Sequence, residues 1–436
     1  MTESETARSS NASSAPTSGT PRSGGTIQSG ETAAPEPKKR QRDPRIDFWR
    51  GIAMAIIFMA HMPGNWWNRY IPAKYGPSDA TEMFVFCSGF ASAVAFGGVF
   101  MRRGLWMGAA RIIHRCWQIY WAHIGLFLAL LVVCYLGTQW GDGTNYINKL
   151  NLRPFVKNPD LGLAHLMTFT YVPNYFDILP MYFGVLLMVP IVMALQKWAG
   201  FPAAAAFVIL VWLTSNLLEI DPPAEWWSDR GWFFNPLGWC LIFFTGFAIS
   251  MGWIKAPPPN RTAIIGCIIF VMALIPLSRW QIYTEYEGLK VFRRETVAWA
   301  FQKTDFGIIR FLHFLALAYV AHCALLTRQH WLRVTWLKPV MMLGQNALPV
   351  FLVSMVLSWT GGIILDVTGR GYVTIALANI TGLALLVGVA AVSAFYKRKP
   401  WEQKKPSMPA PEAEAEAKTG GRSSQSLLKP SAAPGD

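Results

Sequence analysis

Charge is scarce in this chain. Only 15% of its 436 residues are Asp, Glu, Lys or Arg, against 53% hydrophobic and 14% aromatic, and that balance excludes the two or three soluble domains its length would otherwise allow. The six cysteines, Cys87, Cys116, Cys134, Cys240, Cys267 and Cys323, all fall in or beside apolar runs without metal-ligand spacing. They read as buried packing residues, so no metal is expected and no redox compartment follows. There is no nucleotide P-loop, no dinucleotide fingerprint and no internal repeat. The first 37 residues have no apolar h-region, so they are not a secretory signal. The net charge is +14, yet no basic stripe with interleaved aromatics sits on a soluble module. A nucleic-acid partner is therefore not expected.

What the chain does have is long apolar runs such as GLFLALLVVCYLG, LPMYFGVLLMVPIVMAL and LALLVGVAAVSAF, many near the ~20 residues that span hydrocarbon as a helix. The expected fold class is an all-α polytopic membrane protein, a bundle of about ten transmembrane helices embedded in a lipid bilayer. The spans are placed near 46–62, 80–100, 116–137, 178–196, 200–218, 236–254, 262–281, 308–327, 340–360 and 373–396. The charge then has a topological explanation, because Lys and Arg concentrate in alternate loops, with both termini cytoplasmic. One outer stretch, holding Lys290, Arg293, Arg294 and Lys303, breaks the alternation. Residues 1–42 and 401–436, rich in Ser, Gly, Pro and Ala, read as disordered cytoplasmic tails around a 43–400 transmembrane domain.

The organising stretch is RIDFWRGIAMAIIFMAHM, Arg45 to Met62. On a helix Arg50 and His61 lie about 20° apart in azimuth, with Asp47 about 40° from His61. Ionisable groups are costly inside a membrane and are functional candidates by default. Eleven residues of helix separate Arg50 from His61 by roughly 16 Å, so the two have different jobs. A histidine acting as a base needs its second nitrogen held, and the orienting partner of His61 is expected from another helix. Glu82, at similar depth in the second span, is the economical candidate; alternatively it faces outer water.

Further on, RRGLWMGAARIIHR reads as an inner loop whose Arg102, Arg103, Arg111 and Arg115 either meet an anionic donor or obey the positive-inside rule. His123 lies among apolar residues and reads as a structural histidine. Trp66 and Trp67 in the first outer loop, and Asp177 at the outer mouth of the fourth span, suit either a sugar acceptor or the membrane interface. Arg310 and His313 are three apart on one helix face and belong in the bundle interior. Gln345 and Asn346 are adjacent buried amides in the ninth span.

RDPRIDFWRG, AHIGLFLALL, DILPMY, FNPLGW, RFLHFLALAY and GQNALPVF together resemble the OpgC family, and RIDFWRG with FVFCSGF resembles the wider transmembrane acyltransferase-3 superfamily. The superfamily pattern usually has GLR where this chain has FWR. The resemblance implies an O-acyltransferase in a bacterial inner membrane that moves succinyl from a cytoplasmic donor, succinyl-CoA, to hydroxyls of a periplasmic β-glucan acceptor. No bound cofactor is implied; the acyl-CoA donor is a co-substrate. By resemblance His61 is the base, with Asp47 and Arg50 at the donor side. Glu82, Arg310 and His313 join the catalytic set from depth and polarity alone. The same residues also suit a covalent acyl-histidine relay. A transporter or flippase of a glycan or acyl donor, or an acetyltransferase acting on another polysaccharide, is the alternative.

Overall fold

A computed structural model describes residues 43–402. The tail 1–42, and the tail 401–436 beyond Glu402, lie outside the described residues. Within them the regular secondary structure is helical, with one isolated bridge between Pro223 and Gly231 in the loops.

Local chemistry sets the helix ends. Helix α1, Pro44–His61, starts at Asp43, whose side chain accepts from the Arg45 N–H at 2.9 Å, with proline in the first turn. It stops at His61 because Pro63 disfavours the helical region for Met62, which takes φ −75°, ψ 111°. Helix α2, Ala80–Ser92, opens with a capping box: Thr81 N–H donates to Asp79 at 2.7 Å and Asp79 N–H to Glu82 at 2.7 Å. A π-turn, Ala93–Gly97, carries it into α3, Gly98–Trp140. Then follow α4 (Ile178–Leu218), α5 (Pro236–Met251), α6 (Arg261–Ala273), α7 (Ile308–Leu326), α8 (Lys338–Gln345), α9 (Ala347–Thr368) and α10 (Tyr372–Arg398).

Among the described residues six helical stretches are long and apolar enough to cross a membrane, which makes this a helical membrane protein. Two of the six far exceed one crossing. Ala80–Trp140 has 61 residues and Ile178–Leu218 has 41, roughly 90 and 60 Å of helix against a ~30 Å hydrocarbon core. Each is broken at a glycine with positive φ, Gly104 (φ 82°) and Gly200 (φ 80°), a conformation that a side chain resists. Helix α1, with Arg45, Asp47 and Arg50, and α5, with 16 residues, fall outside the six.

Two expected boundaries move. The stretch RRGLWMGAARIIHR is helix on both sides of Gly104, not a loop. The ninth span is displaced, because the helix breaks at Asn346 and the long piece is Ala347–Thr368.

Helix α2 is sandwiched between α1 and α5, α5 packs on α4, and α1 also meets α8 and α9. The α2–α5 crossing is close and reciprocal. A methyl on Gly89 would strike the Phe243 carbonyl, and one on Gly246 the Phe86 carbonyl, as expected where small residues let membrane helices approach. Helix α6 differs from these. It packs chiefly against α7 and none of its residues is buried.

Candidate active site at the His61 end of the bundle

His61 closes α1 half-buried, and its Nδ1 lies 2.7 Å from the Ile57 carbonyl one turn earlier. A carbonyl only accepts, so Nδ1 carries the proton and Nε2 keeps its lone pair. This corrects the expected orienting partner. The ring is held by its own helix, not by Glu82 or any other helix. The helix end is itself fastened from α9 and α10. Ser358 donates to the Phe58 carbonyl at 2.8 Å, Arg370 Nη1 to the Pro63 carbonyl at 2.6 Å, and buried Asn65 and Asn379 exchange amide hydrogen bonds at 2.9 and 3.1 Å.

Glu82 is fully buried, and Arg310 donates to it from Nε at 2.9 Å and again from Nη2. Arg310 also lies 3.9 Å from Asp79. The guanidinium expected to meet an oxyanion or a substrate carboxylate is thus engaged in an ion pair joining α2 to α7. His313 is buried, its Nδ1 2.6 Å from Ser78 Oγ, and its Nε2 has no partner among the described residues.

The group at the centre of this cluster is Asp79. Lys303 donates to it at 2.6 Å, and both residues lie within electrostatic reach of His61. Burial opposes ionisation of Asp79, but Lys303, Arg310 and the Thr81 N–H together hold its carboxyl below the usual range. Lys303 is placed by a strap, residues 302–307, whose backbone is bonded from three directions. Trp239 donates to the Lys303 carbonyl at 3.0 Å, Asn216 to the Asp305 carbonyl at 2.7 Å, Trp212 to the Phe306 carbonyl at 2.9 Å, and Ser215 to the Asp305 carboxylate.

Neither Asp79 nor Lys303 was a sequence candidate. Signals existed for both: the capping box in SDATE marks Asp79, and Lys303 belongs to the one stretch that breaks the charge alternation.

Other candidates fall elsewhere. Asp177 is buried and accepts from the Phe233 N–H at 2.8 Å. It ties down the segment before α5 and is not open to an acceptor, a second correction. Burial raises its pKa to about 6, against the Phe233 N–H and Arg230. Trp66 packs in a ring cluster with Trp67, Tyr70 and Tyr372 at centroid distances of 5.5–6.3 Å. His123 is fully buried beside Phe169 and Phe176, with no partner for either nitrogen among the described residues.

At the opposite end of α1, buried Asp47 accepts from Gln345 at 3.2 Å, and Lys397 donates to buried Asn346 at 2.8 Å; Gln345 itself is exposed at the break before α9, so the expected pair of buried amides is corrected to one. Arg50 lies one turn beyond Asp47 in α1. Arg102 and Arg103 are exposed before the Gly104 break; Arg111, exposed, and Arg115, donating to Gln118 at 2.9 Å, follow it.

Between the two ends runs a cavity of about 1590 Å³. Asp43, Arg45, His322 and Lys255 line one end, Ser78 and Asp79 the other, and Phe311 to Leu325 of α7 flank it, roughly 21 Å of helix. Its intermediate lining is mostly apolar, including Met83, Phe86, Phe90, Ile249 and Phe270. Asp79 therefore belongs both to the cavity and to the surroundings of His61.

The family model described as OpgC protein matches residues 42–398. The chain belongs to the OpgC family. Membership associates it with modification of osmoregulated periplasmic glucans and implies a transferase-type enzyme. No curated protein and no solved structure matches the chain. The match covers all the helices just described.

Proposed function

We propose that the protein is an inner-membrane O-acyltransferase of the acyltransferase-3 type, moving succinyl from cytoplasmic succinyl-CoA to hydroxyls of a periplasmic β-glucan. The observation that carries the reading is His61, fixed as the Nδ1–H tautomer, with Nε2 free as a general base beside one end of a long cavity. Breaks at Gly104 and Gly200 split the two overlong helices. With α1 and α5 the crossings then number ten, leaving both termini on the cytoplasmic side.

In this reading the Asp43 end is cytoplasmic and the His61 end periplasmic. The arginines at 102, 103, 111 and 115, with Arg50, face the side where a CoA phosphate group would arrive. The pantetheine arm extends along the cavity beside α7 and brings the thioester to Asp79 and His61. His61 Nε2 takes the proton of a glucan hydroxyl as its oxygen attacks the thioester carbonyl; the C–S bond then breaks, and the proton held on His61 passes to the departing sulfur, which leaves as the CoA thiol while the ester stays on the glucan. Such a base contributes typically 10²–10⁴-fold. Two carboxyls, Asp79 and Glu82, are paired with two cations, Lys303 and Arg310, beside this end of the cavity.

The test is the charge and mass of glucans from cells lacking the gene, complemented with wild type or His61→Ala at matched membrane levels. Anionic, succinyl-bearing glucans with wild type and neutral ones with His61→Ala are expected. A gain of acetyl mass would change the donor. Glucans unaltered by the deletion would remove the acceptor and favour a transporter built around the same cavity.

A further inference from the structure

The loop leading into α4 is tied down by hydrogen bonds, and most of it is buried. Val172 N–H donates to the Ala224 carbonyl at 2.8 Å, and Arg230 donates to the Val172 carbonyl at 2.9 Å. Tyr171 donates to the Asn151 carbonyl at 2.7 Å, and Asp177 holds the Phe233 N–H. Tyr171, Val172, Pro173, Phe176 and Asp177 are all buried, whereas the two residues between Pro173 and Phe176, Asn174 and Tyr175, stand out of the surface.

Tyr175 is held there at φ 72°, a left-handed conformation that a bulky side chain adopts only when its surroundings impose it, and such outliers gather at functional sites. The residue is 50% exposed. It packs edge-to-face with His61, centroids 5.4 Å apart and planes at 73°, and with Trp359 at 6.0 Å and 65°. The Tyr175 hydroxyl makes no hydrogen bond among the described residues, so neither burial nor a polar contact of the phenol accounts for this placement. What the fold presents is a half-exposed aromatic ring in contact with the base and with a second aromatic.

Such a ring fits a pyranose. A β-linked glucose has an apolar side of axial C–H groups that lies well on the electron-rich face of an aromatic ring, and its rim of hydroxyls needs amide-like partners. The exposed Asn174 amide supplies one. We infer that Asn174 and Tyr175 hold the glucosyl unit of the acceptor whose hydroxyl faces His61 Nε2. Resting on the transfer reading above, this assigns the acceptor subsite to a loop that the sequence candidates Asp177, Trp66 and Trp67 only bracket. It also sets the acceptor on the Tyr175 side of His61 and the donor cavity on the Asp79 side, the arrangement a single-step transfer needs.

The test uses purified full-length protein with a linear β-glucohexaose. Binding is followed by calorimetry and transfer from succinyl-CoA by mass. Tyr175→Ala is expected to weaken glucan binding and raise the acceptor KM about tenfold, the scale of one lost aromatic contact, while the KM for succinyl-CoA stays put. Tyr175→Phe and Tyr175→Trp restore both, since the face and not the hydroxyl is used. Asn174→Ala gives a smaller rise in the same constant. If Tyr175→Ala fails to fold, Tyr175→Leu and Asn174→Ala carry the same comparison. An acceptor KM that does not move, or donor and acceptor constants that worsen together, overturns the subsite while leaving transfer intact. Glucan binding that depends on Tyr175 in a wild-type protein transferring nothing keeps the subsite and removes the transfer reading.

Discussion

The Nδ1 of His61 and the carbonyl of Ile57 are 2.7 Å apart, a bond within one helix that decides which nitrogen is available for chemistry. Aspartate or glutamate commonly plays this role in hydrolytic sites; here a backbone carbonyl does, and it adds no negative charge beside the ring. His61→Ala and His61→Gln are therefore both expected to lower kcat by about 10²–10⁴-fold. The donor and acceptor KM values should stay near wild type. Steady-state kinetics on purified protein check this, and near-normal turnover in either variant would assign the base elsewhere.

The Glu82–Arg310 pair is predicted to be structural. Removing either partner leaves the other charge buried, at a cost of about 3–5 kcal/mol. Glu82→Leu and Arg310→Met should each lower the thermal unfolding midpoint sharply, and the double variant should recover much of the loss. Losses that simply add would show that the two side chains are not coupled.

Much of this was legible in the residues, and the rest was hidden for identifiable reasons. Helix composition and the polar ends of α1 are local properties, so the membrane bundle and His61 could be read directly. The candidates Glu82, Arg310 and His313 were found one by one from their depth. Their pairing was not, because which buried charge meets which depends on how α2 and α7 pack. Asp79 and Lys303 carried readable signals that compete with ordinary explanations, a helix cap and an exception to a charge rule. Tyr175 lies in YVPNYFD, whose aromatics and amide suit sugar contacts and a membrane interface alike, so the residues alone did not single it out. Its importance comes from a backbone conformation imposed by contacts with residues some fifty positions away, among them Ala224 and Arg230.

Asp177 gives a pH-dependent prediction. Its pKa in the fold is raised to about 6 above an ordinary value near 3.9. The folded state thus holds the proton more tightly than the unfolded chain. That contribution is fully present below about pH 4, declines as pH rises, and is lost above about pH 6. Asp177→Asn keeps an oxygen for the Phe233 N–H without the charge. It is expected to flatten the stability profile between pH 4 and 7 and to gain on the order of 2–3 kcal/mol at neutral pH. Unfolding midpoints measured across that range decide it; a variant as pH-sensitive as wild type refutes the assignment.

Gly266 offers a way to separate the two substrates. It lines the cavity, and a methyl placed on it would meet nothing within 4 Å. Gly266→Phe should fold, helped by a better helix former than glycine, while filling space in the cavity. The expected result is a raised KM for the acyl-CoA donor with an unchanged acceptor KM. If the donor constant does not respond, the donor takes another path.

Helix α6, which leans on α7 and buries no residue of its own, has a consequence for the medium in which the enzyme works. If the cavity takes the donor as proposed, one of its walls is a single helix with no protein behind it among the described residues, so the surrounding acyl chains would act as a pliable outer skin. Lateral pressure and chain length then become part of the site's dimensions. Catalysis in nanodiscs of graded lipid thickness should vary in donor KM, and a short-tailed detergent should behave as a competitor for the same space.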